Sequence, residues 1–135
     1  MRIEGGCHCG NITYEAEIDP EKVGICHCTD CQTLSGSAFS ASVPAAREAF
    51  SLRTGQPKIY VKTADSGTKR AQAFCPDCGA AIYAAAISNP PSYSLRVGSI
   101  RQRAELGTPK RQIWCQSALP WAMDLGAVEQ YPRQP

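Results

Sequence analysis

Seven of the eight cysteines in this chain fall into three short clusters, and no other feature restricts the fold as strongly. The clusters are Cys7-His8-Cys9-Gly10, Cys26-His27-Cys28-Thr29-Asp30-Cys31 and Cys75-Pro76-Asp77-Cys78-Gly79. A C-x-x-C turn aims both thiolates at one point while backbone N–H groups face the sulfurs, and Gly79 suits the unusual dihedral that such a turn needs. One C-x-x-C alone is a weak signal. In company with C-x-C and C-x-C-x-x-C it points to zinc, which takes four ligands in a tetrahedron with thiolate sulfurs at about 2.3 Å.

Seven thiolates divide naturally as four plus three. Structural zinc is usually closed by four protein ligands, whereas catalytic zinc keeps a position open, so one closed and one open site are expected. Spacing leaves the pairing undecided: Cys75 and Cys78 can complete a tetrahedron with Cys7 and Cys9 or with two members of the middle cluster. The triplet Cys26, Cys28 and Cys31 has the neater claim to the open site, because it offers three ligands within six residues. His8 and His27 sit between ligands, where side chains usually point away. Cys115, beside Trp114, reads as a packed core thiol.

Composition adds a reason for metal. Of the 43% of the 135 residues that are hydrophobic, 18 are Ala and 8 are Cys, while Leu, Ile, Val and Phe together number 23. So thin a supply of large apolar side chains, with 11 Gly and 10 Pro, needs order from another source. The free energy of metal binding becomes free energy of folding. The length fits one domain, read as a zinc domain over residues 1–125 with a C-terminal tail over 126–135.

The net charge of +2 is spread along the chain without a basic block, so nothing calls for nucleic acid or an anionic membrane. Seven thiolates and two Zn2+ would in any case turn +2 into about −1, since zinc ligands are deprotonated. The first residues lack the apolar core of a signal peptide, and the longest apolar run, Ala80 to Ile87, is far short of the roughly 20 residues that span a bilayer. The expected location is the cytoplasm, where close-spaced cysteines serve as ligands or catalysts more often than as disulfides.

Period-two alternation predicts a strand at Ile12 to Ala16, and Val23 to Cys28 returns as another after a turn at Asp19-Pro20-Glu21. Thr29 reads as the N-cap of a short helix over Asp30 to Leu34, broken by Ser35-Gly36-Ser37. Ala38 to Val43 reads as a strand, and Pro44 as the first residue of a brief helix through Ala49. Further strands are predicted at Phe50 to Thr54, Lys58 to Val61, Lys69 to Phe74, Ala81 to Ile87 and Tyr93 to Gly98, with a hairpin tip at Ala64 to Gly67. After Arg101 the pattern weakens into irregular structure that wraps the sheet, and then a tail. The fold class is mainly β.

The three clusters together resemble the glutathione-dependent formaldehyde-activating enzyme family, which includes the centromere protein V domain. The likeness extends through Arg53-Thr54-Gly55 and Tyr60 to Trp114 and Pro120-Trp121; Ala80 departs from it, standing where a small hydroxyl residue is expected. The resemblance implies an Mss4-like fold of β-hairpins and small sheets stapled by zinc. It also implies a pairing: a structural zinc on Cys7, Cys9, Cys75 and Cys78, and a catalytic zinc on Cys26, Cys28 and Cys31, two Zn2+ per chain. The implied activity is a carbon-sulfur lyase that forms or cleaves S-hydroxymethylglutathione or a similar adduct of a thiol (glutathione) and an aldehyde. The alternative is a protein that binds glutathione, another thiol or zinc without turnover. Arg53, Lys69, Arg70 and Arg96 are candidates to receive a substrate carboxylate, each set against the plainer reading of a solvated surface charge.

Overall fold

The computed structural model describes residues Met1–Pro135. Two sheets form. Strands β1 (Arg2–Gly6), β2 (Thr13–Glu17) and β5 (Phe50–Thr54) make a three-stranded antiparallel sheet in the order β1-β2-β5. The second sheet has the order β10-β3-β4-β9-β8-β7-β6. Its strands are β3 (Gly24–Cys26), β4 (Ser40–Ala46), β6 (Lys58–Thr63), β7 (Lys69–Phe74), β8 (Ala81–Ala86), β9 (Ser92–Arg96) and β10 (Arg111–Ile113). The one α-helix, α1 (Thr29–Ser35), directly follows the β3 turn. The expectation of a mainly β fold is met.

The core lies between the two sheets. Ile3, Tyr14 and Ala16 of the small sheet meet Val43, Ala45, Ile82 and Leu95 of the large one, with Ile12 and Ile100 closing the ends. Tyr14, Phe50, Tyr83 and Tyr93 stack across this seam at centroid separations of 4.6–5.6 Å, a range in which aromatic pairs add to plain area burial. Only 24 residues are buried, so the core is as thin as the composition implies. Cys75 is one of its members and is fully buried.

The alternating segments fold as strands within a residue or two of the predicted bounds. Three predictions need correction. Pro44 does not open a helix: β4 runs through it to Ala46, and only a 3-10 turn over Arg47–Ala49 follows. Burial of Val43 and Ala45 against β9 outweighs the local preference, and the pairing with β3 ends at Ser42, so one side of β4 has no neighbouring strand at Pro44. That is the place in a sheet where a missing N–H costs least. The N-cap of α1 is Cys28 rather than Thr29. The stretch beyond Arg101 contains β10, which pairs in parallel with β3 through Arg111↔Gly24, Gln112↔Ile25 and Ile113↔Cys26.

β1 carries too few apolar residues to announce itself. It exists because Gly5 lets the chain pass over the Tyr14 ring, where an added Cβ would lie 2.2 Å from Cζ. The C-terminal segment does not wrap the sheet as expected: from Pro120 onward every side chain except Ala122 is exposed, and the backbone bonds there are local turns.

Candidate metal centres

Two β-hairpins supply the first centre. Cys7 and Cys9 stand on the β1–β2 turn, and Cys75 and Cys78 on the β7–β8 turn. The two turns follow one plan. Cys7 N–H donates to the Ile12 carbonyl and Cys75 N–H to the Ala80 carbonyl, while the glycine after the second cysteine is left-handed in each, at φ +83° for Gly10 and +78° for Gly79. Asn11 Nδ2 donates to Asp77 Oδ2 at 2.8 Å and ties one turn to the other.

All four Sγ atoms lie within 4.8 Å of one another. Cys7 to Cys9 is 3.6 Å and Cys9 to Cys75 is 3.8 Å. A tetrahedral zinc with thiolates at about 2.3 Å would need sulfurs about 3.8 Å apart, so the donor set fits such an ion. The backbone supports negative sulfur there as well. Ile12 N–H donates to Cys7 Sγ at 3.2 Å, and the N–H groups of Ala80 and then Cys9 hold the Cys78 thiol down to about 6.

The second centre takes its three sulfurs from one short segment. Cys26 ends β3, Cys28 caps α1 by accepting from Cys31 N–H at 3.3 Å, and Cys31 lies in the first helical turn. Their Sγ atoms also lie within 4.8 Å of one another. Burial, opposed by the Cys28 N–H and reinforced by the Cys31 and Cys28 sulfurs, pushes the Cys26 thiol up to about 12. Burial alone would raise Cys28 too, but the Cys31 N–H, the neighbouring thiols and the Lys62 ammonium bring it below its usual value. Sulfurs packed this closely repel one another as thiolates, and a divalent cation relieves that repulsion.

Neither histidine joins a centre. His8 is exposed. His27 is fully buried, with ring Nε2 2.8 Å from Gln112 Oε1 and its backbone N–H donating to the Ile113 carbonyl, so it links the ligand segment to β10. Gln32 Nε2 reinforces the link by donating to the carbonyls of His27 and Ser117. Cys115 is exposed and outside both sets, so the reading of it as a packed core thiol does not hold. It follows Trp114, whose left-handed φ of +56° turns the chain away from β10.

Beside these centres runs a cleft of about 1060 Å³. Cys7, His8, Leu34, Ser35 and Tyr60 are among its lining residues, and Arg96, Ser99, Arg101 and Arg103 contribute polar groups. None of Cys26, Cys28 and Cys31 lines it directly. The triplet adjoins it through Ser40, whose register partner is Cys26, and through Arg96, whose guanidinium feels the charges of all three sulfurs. Of the basic residues singled out in the sequence, Arg96 alone reaches this cleft. Arg53 is spent on Glu15 across the small sheet, and Lys69 and Arg70 lie at the far end of β7.

The model of the family described as glutathione-dependent formaldehyde-activating enzyme matches residues 2–117. The chain belongs to that family. Its fold is also that of a Rhodobacter sphaeroides protein of known crystal structure, at 21% sequence identity and a TM-score of 0.62, over 81% of this chain and 98% of that one. A search of curated proteins finds no match. Both cysteine sets and the whole cleft lining fall inside the span matched to the formaldehyde-activating family, and the exposed C-terminal segment falls outside it. No helix is long and apolar enough to cross a membrane.

Proposed function

We propose that the protein is a zinc-dependent carbon-sulfur lyase of the glutathione-dependent formaldehyde-activating type. In this reading Cys7, Cys9, Cys75 and Cys78 hold a structural zinc, and Cys26, Cys28 and Cys31 hold a catalytic one. The observation that carries it is the inequality of the two sets: four sulfurs close one site, while three sulfurs stand together with neither histidine nor Cys115 grouped with them. A three-ligand thiolate site is the arrangement that leaves zinc a position for substrate.

The reaction adds the sulfur of glutathione to the carbon of formaldehyde. The C–S bond forms, the carbonyl π pair moves to oxygen, and that oxygen takes up the proton the thiol gave away; the reverse breaks the C–S bond. Bound zinc would hold the incoming sulfur as thiolate, a role favoured over Lewis-acid activation because three thiolates already outweigh the charge of the ion. The chain supplies the rest. Lys62 offsets the negative charge at Cys28, and the adjoining cleft has room for a tripeptide thiol.

A second reading, capture of glutathione, another thiol or zinc without turnover, draws on the fact that no triplet sulfur lines the cleft. Metal analysis of protein purified without chelators, beside an assay of formaldehyde consumption with glutathione, separates the two. Wild type is expected to carry two zincs and accelerate adduct formation. A variant with Cys26, Cys28 and Cys31 all changed to Ala should keep one zinc and its fold while losing the acceleration. Saturable glutathione binding without acceleration in wild type would establish capture instead, and a triplet variant that fails to fold would make that set structural.

A further inference from the structure

The residues lining the cleft include three arginines and no aspartate or glutamate. Two of the arginines are engaged by the protein: Arg101 Nη1 meets Glu4 Oε2 at 3.0 Å, and Arg103 Nη1 donates to the Ile100 carbonyl at 3.0 Å. Arg96 differs. It is half-buried, its Nη2 donates to Gln72 Oε1 at 2.9 Å, and no carboxylate lies within ion-pair distance. The strand register explains the first contact. Gln72 faces Ala84, Ala84 faces Ser94, and Arg96 is two residues beyond Ser94, so both side chains rise from one face of the sheet. A guanidinium has five N–H donors in a fork that matches a carboxylate, and Gln72 occupies only one side of it. Withdrawing a cation partly from water is costly unless an anion answers it.

We propose that Arg96 is the anion receptor of the cleft: it takes a carboxylate of the thiol substrate and so directs the substrate's sulfur toward Cys26, Cys28 and Cys31. The inference rests on the reading of the triplet as the reaction site. The position supports it, since Arg96 lines the cleft and stands in register, across Ser42, with Gly24, two residues from Cys26 on the same face of the sheet. Arg96 thereby selects anionic thiols over neutral ones. The competing role is simple charge balance for the triplet, which would make no such selection.

Calorimetric titration of the zinc-loaded full chain distinguishes these roles. The probes are S-methylglutathione, whose sulfur is blocked but whose carboxylates are free, and its diethyl ester. Wild type should prefer the free acid. Arg96→Gln should bind the acid about 10- to 100-fold more weakly, as expected for a lost charged hydrogen bond, with ester binding and zinc content unchanged. Arg96→Lys should recover part of the preference. An unchanged acid-to-ester ratio in Arg96→Gln, a loss of zinc without a change in that ratio, or no binding of the acid by wild type would each overturn the proposal. The formaldehyde assay keeps the two ideas apart: an Arg96-dependent acid preference without acceleration sinks the reaction and leaves the receptor standing, and the converse result does the opposite.

A separate observation concerns the C-terminal segment. The accessible surface is 8613 Å², whereas a compact monomer of 14.5 kDa should show about 6,900 Å². The excess of about 1,700 Å² is ample for one side of a stable interface, which takes about 800 Å². Trp121, Met123, Leu125, Val128 and Tyr131 are each more than half exposed, and the same chain offers Ile59 and Val61 on one face of the unpartnered edge strand β6, the face opposite Tyr60. One chain thus carries both an apolar arm and an apolar acceptor, which is what reciprocal exchange between two identical copies requires.

We infer that a second copy of this chain covers the segment. Sedimentation at micromolar concentration should give twice 14.5 kDa for wild type. The full-length variant Met123→Ser, Leu125→Ser, Val128→Ser should sediment as monomer with unchanged circular dichroism. Monomeric wild type, or a variant that stays dimeric, would refute the inference.

Discussion

The two cysteine sets use the same atoms in opposite settings. The set formed by Cys7, Cys9, Cys75 and Cys78 joins two hairpins about 70 residues apart in sequence and includes a member of the hydrophobic core. The Cys26, Cys28 and Cys31 set closes a loop of six residues and contributes nothing to that core. Loop-closure entropy would make a metal held by the long-range set the more stabilising one, and through Cys75 such a metal would be anchored to the edge of a thin core. In the proposed reading the local set spares the fold and leaves a coordination position for substrate. The contrast teaches that ligand number and sequence separation together distinguish a metal that holds a chain from one placed to act on something else.

The largest effect expected from breaking this contrast is from Cys75→Ala. On the proposed reading, removing the buried ligand forfeits a large part of a binding free energy that is of order 10 kcal/mol for a complete structural zinc site, and should abolish cooperative thermal unfolding. Cys28→Ala should leave a cooperative transition within about 2 kcal/mol of wild type, the cost of a lost helix cap. Equal losses in the two variants would erase the distinction. Next comes Gly5→Ala, which drives a methyl into the Tyr14 ring and should cost about 1–3 kcal/mol in denaturant unfolding. The metal count should stay unchanged.

The effect that is smallest at neutral pH sharpens the core that backs the four-sulfur set. Burial, eased by the hydrogen bond to Ser99, pushes the Tyr14 phenol from 10.0 up to about 12. A phenol whose folded pKa is raised stabilises the fold fully below its unfolded pKa, and that contribution disappears as pH climbs through the folded value. Stability should therefore fall by about 2–3 kcal/mol between pH 10 and 12. Tyr14→Phe should remove that alkaline slope while costing about 1 kcal/mol at neutral pH through the lost bond to Ser99.

Much of the site was legible in the sequence, because close-spaced thiols carry their chemistry in their spacing. The three clusters, their division as four plus three, the turn role of Gly79 and the placement of Cys31 in a helical turn could be read there. The pairing of Cys7 and Cys9 with Cys75 and Cys78 could not be read from spacing, and only the resemblance pointed to it; it depends on which hairpins meet across the core. Strand β10 was hidden because three mostly polar residues have no period of their own and become a strand only by finding β3. Pro44 misled because its local preference was strong and the burial of Val43 and Ala45 was not visible. The cleft was illegible for the same reason: Leu34, Tyr60, Gln72 and Arg96 converge only after the large sheet has formed.

The parallel pairing of β10 with β3 has a consequence for how the molecule is born. A nascent chain emerges from the ribosome N-terminus first, and all four sulfurs of the long-range staple are available once Cys78 is out. The partners that support the other set, Gln112 to His27 and Ser117 to Gln32, lie 85 residues downstream of what they brace. Cys26, Cys28 and Cys31 therefore lack these two braces until 85 further residues have been made. During that interval the triplet can meet a stray metal or an oxidant before its distant braces arrive.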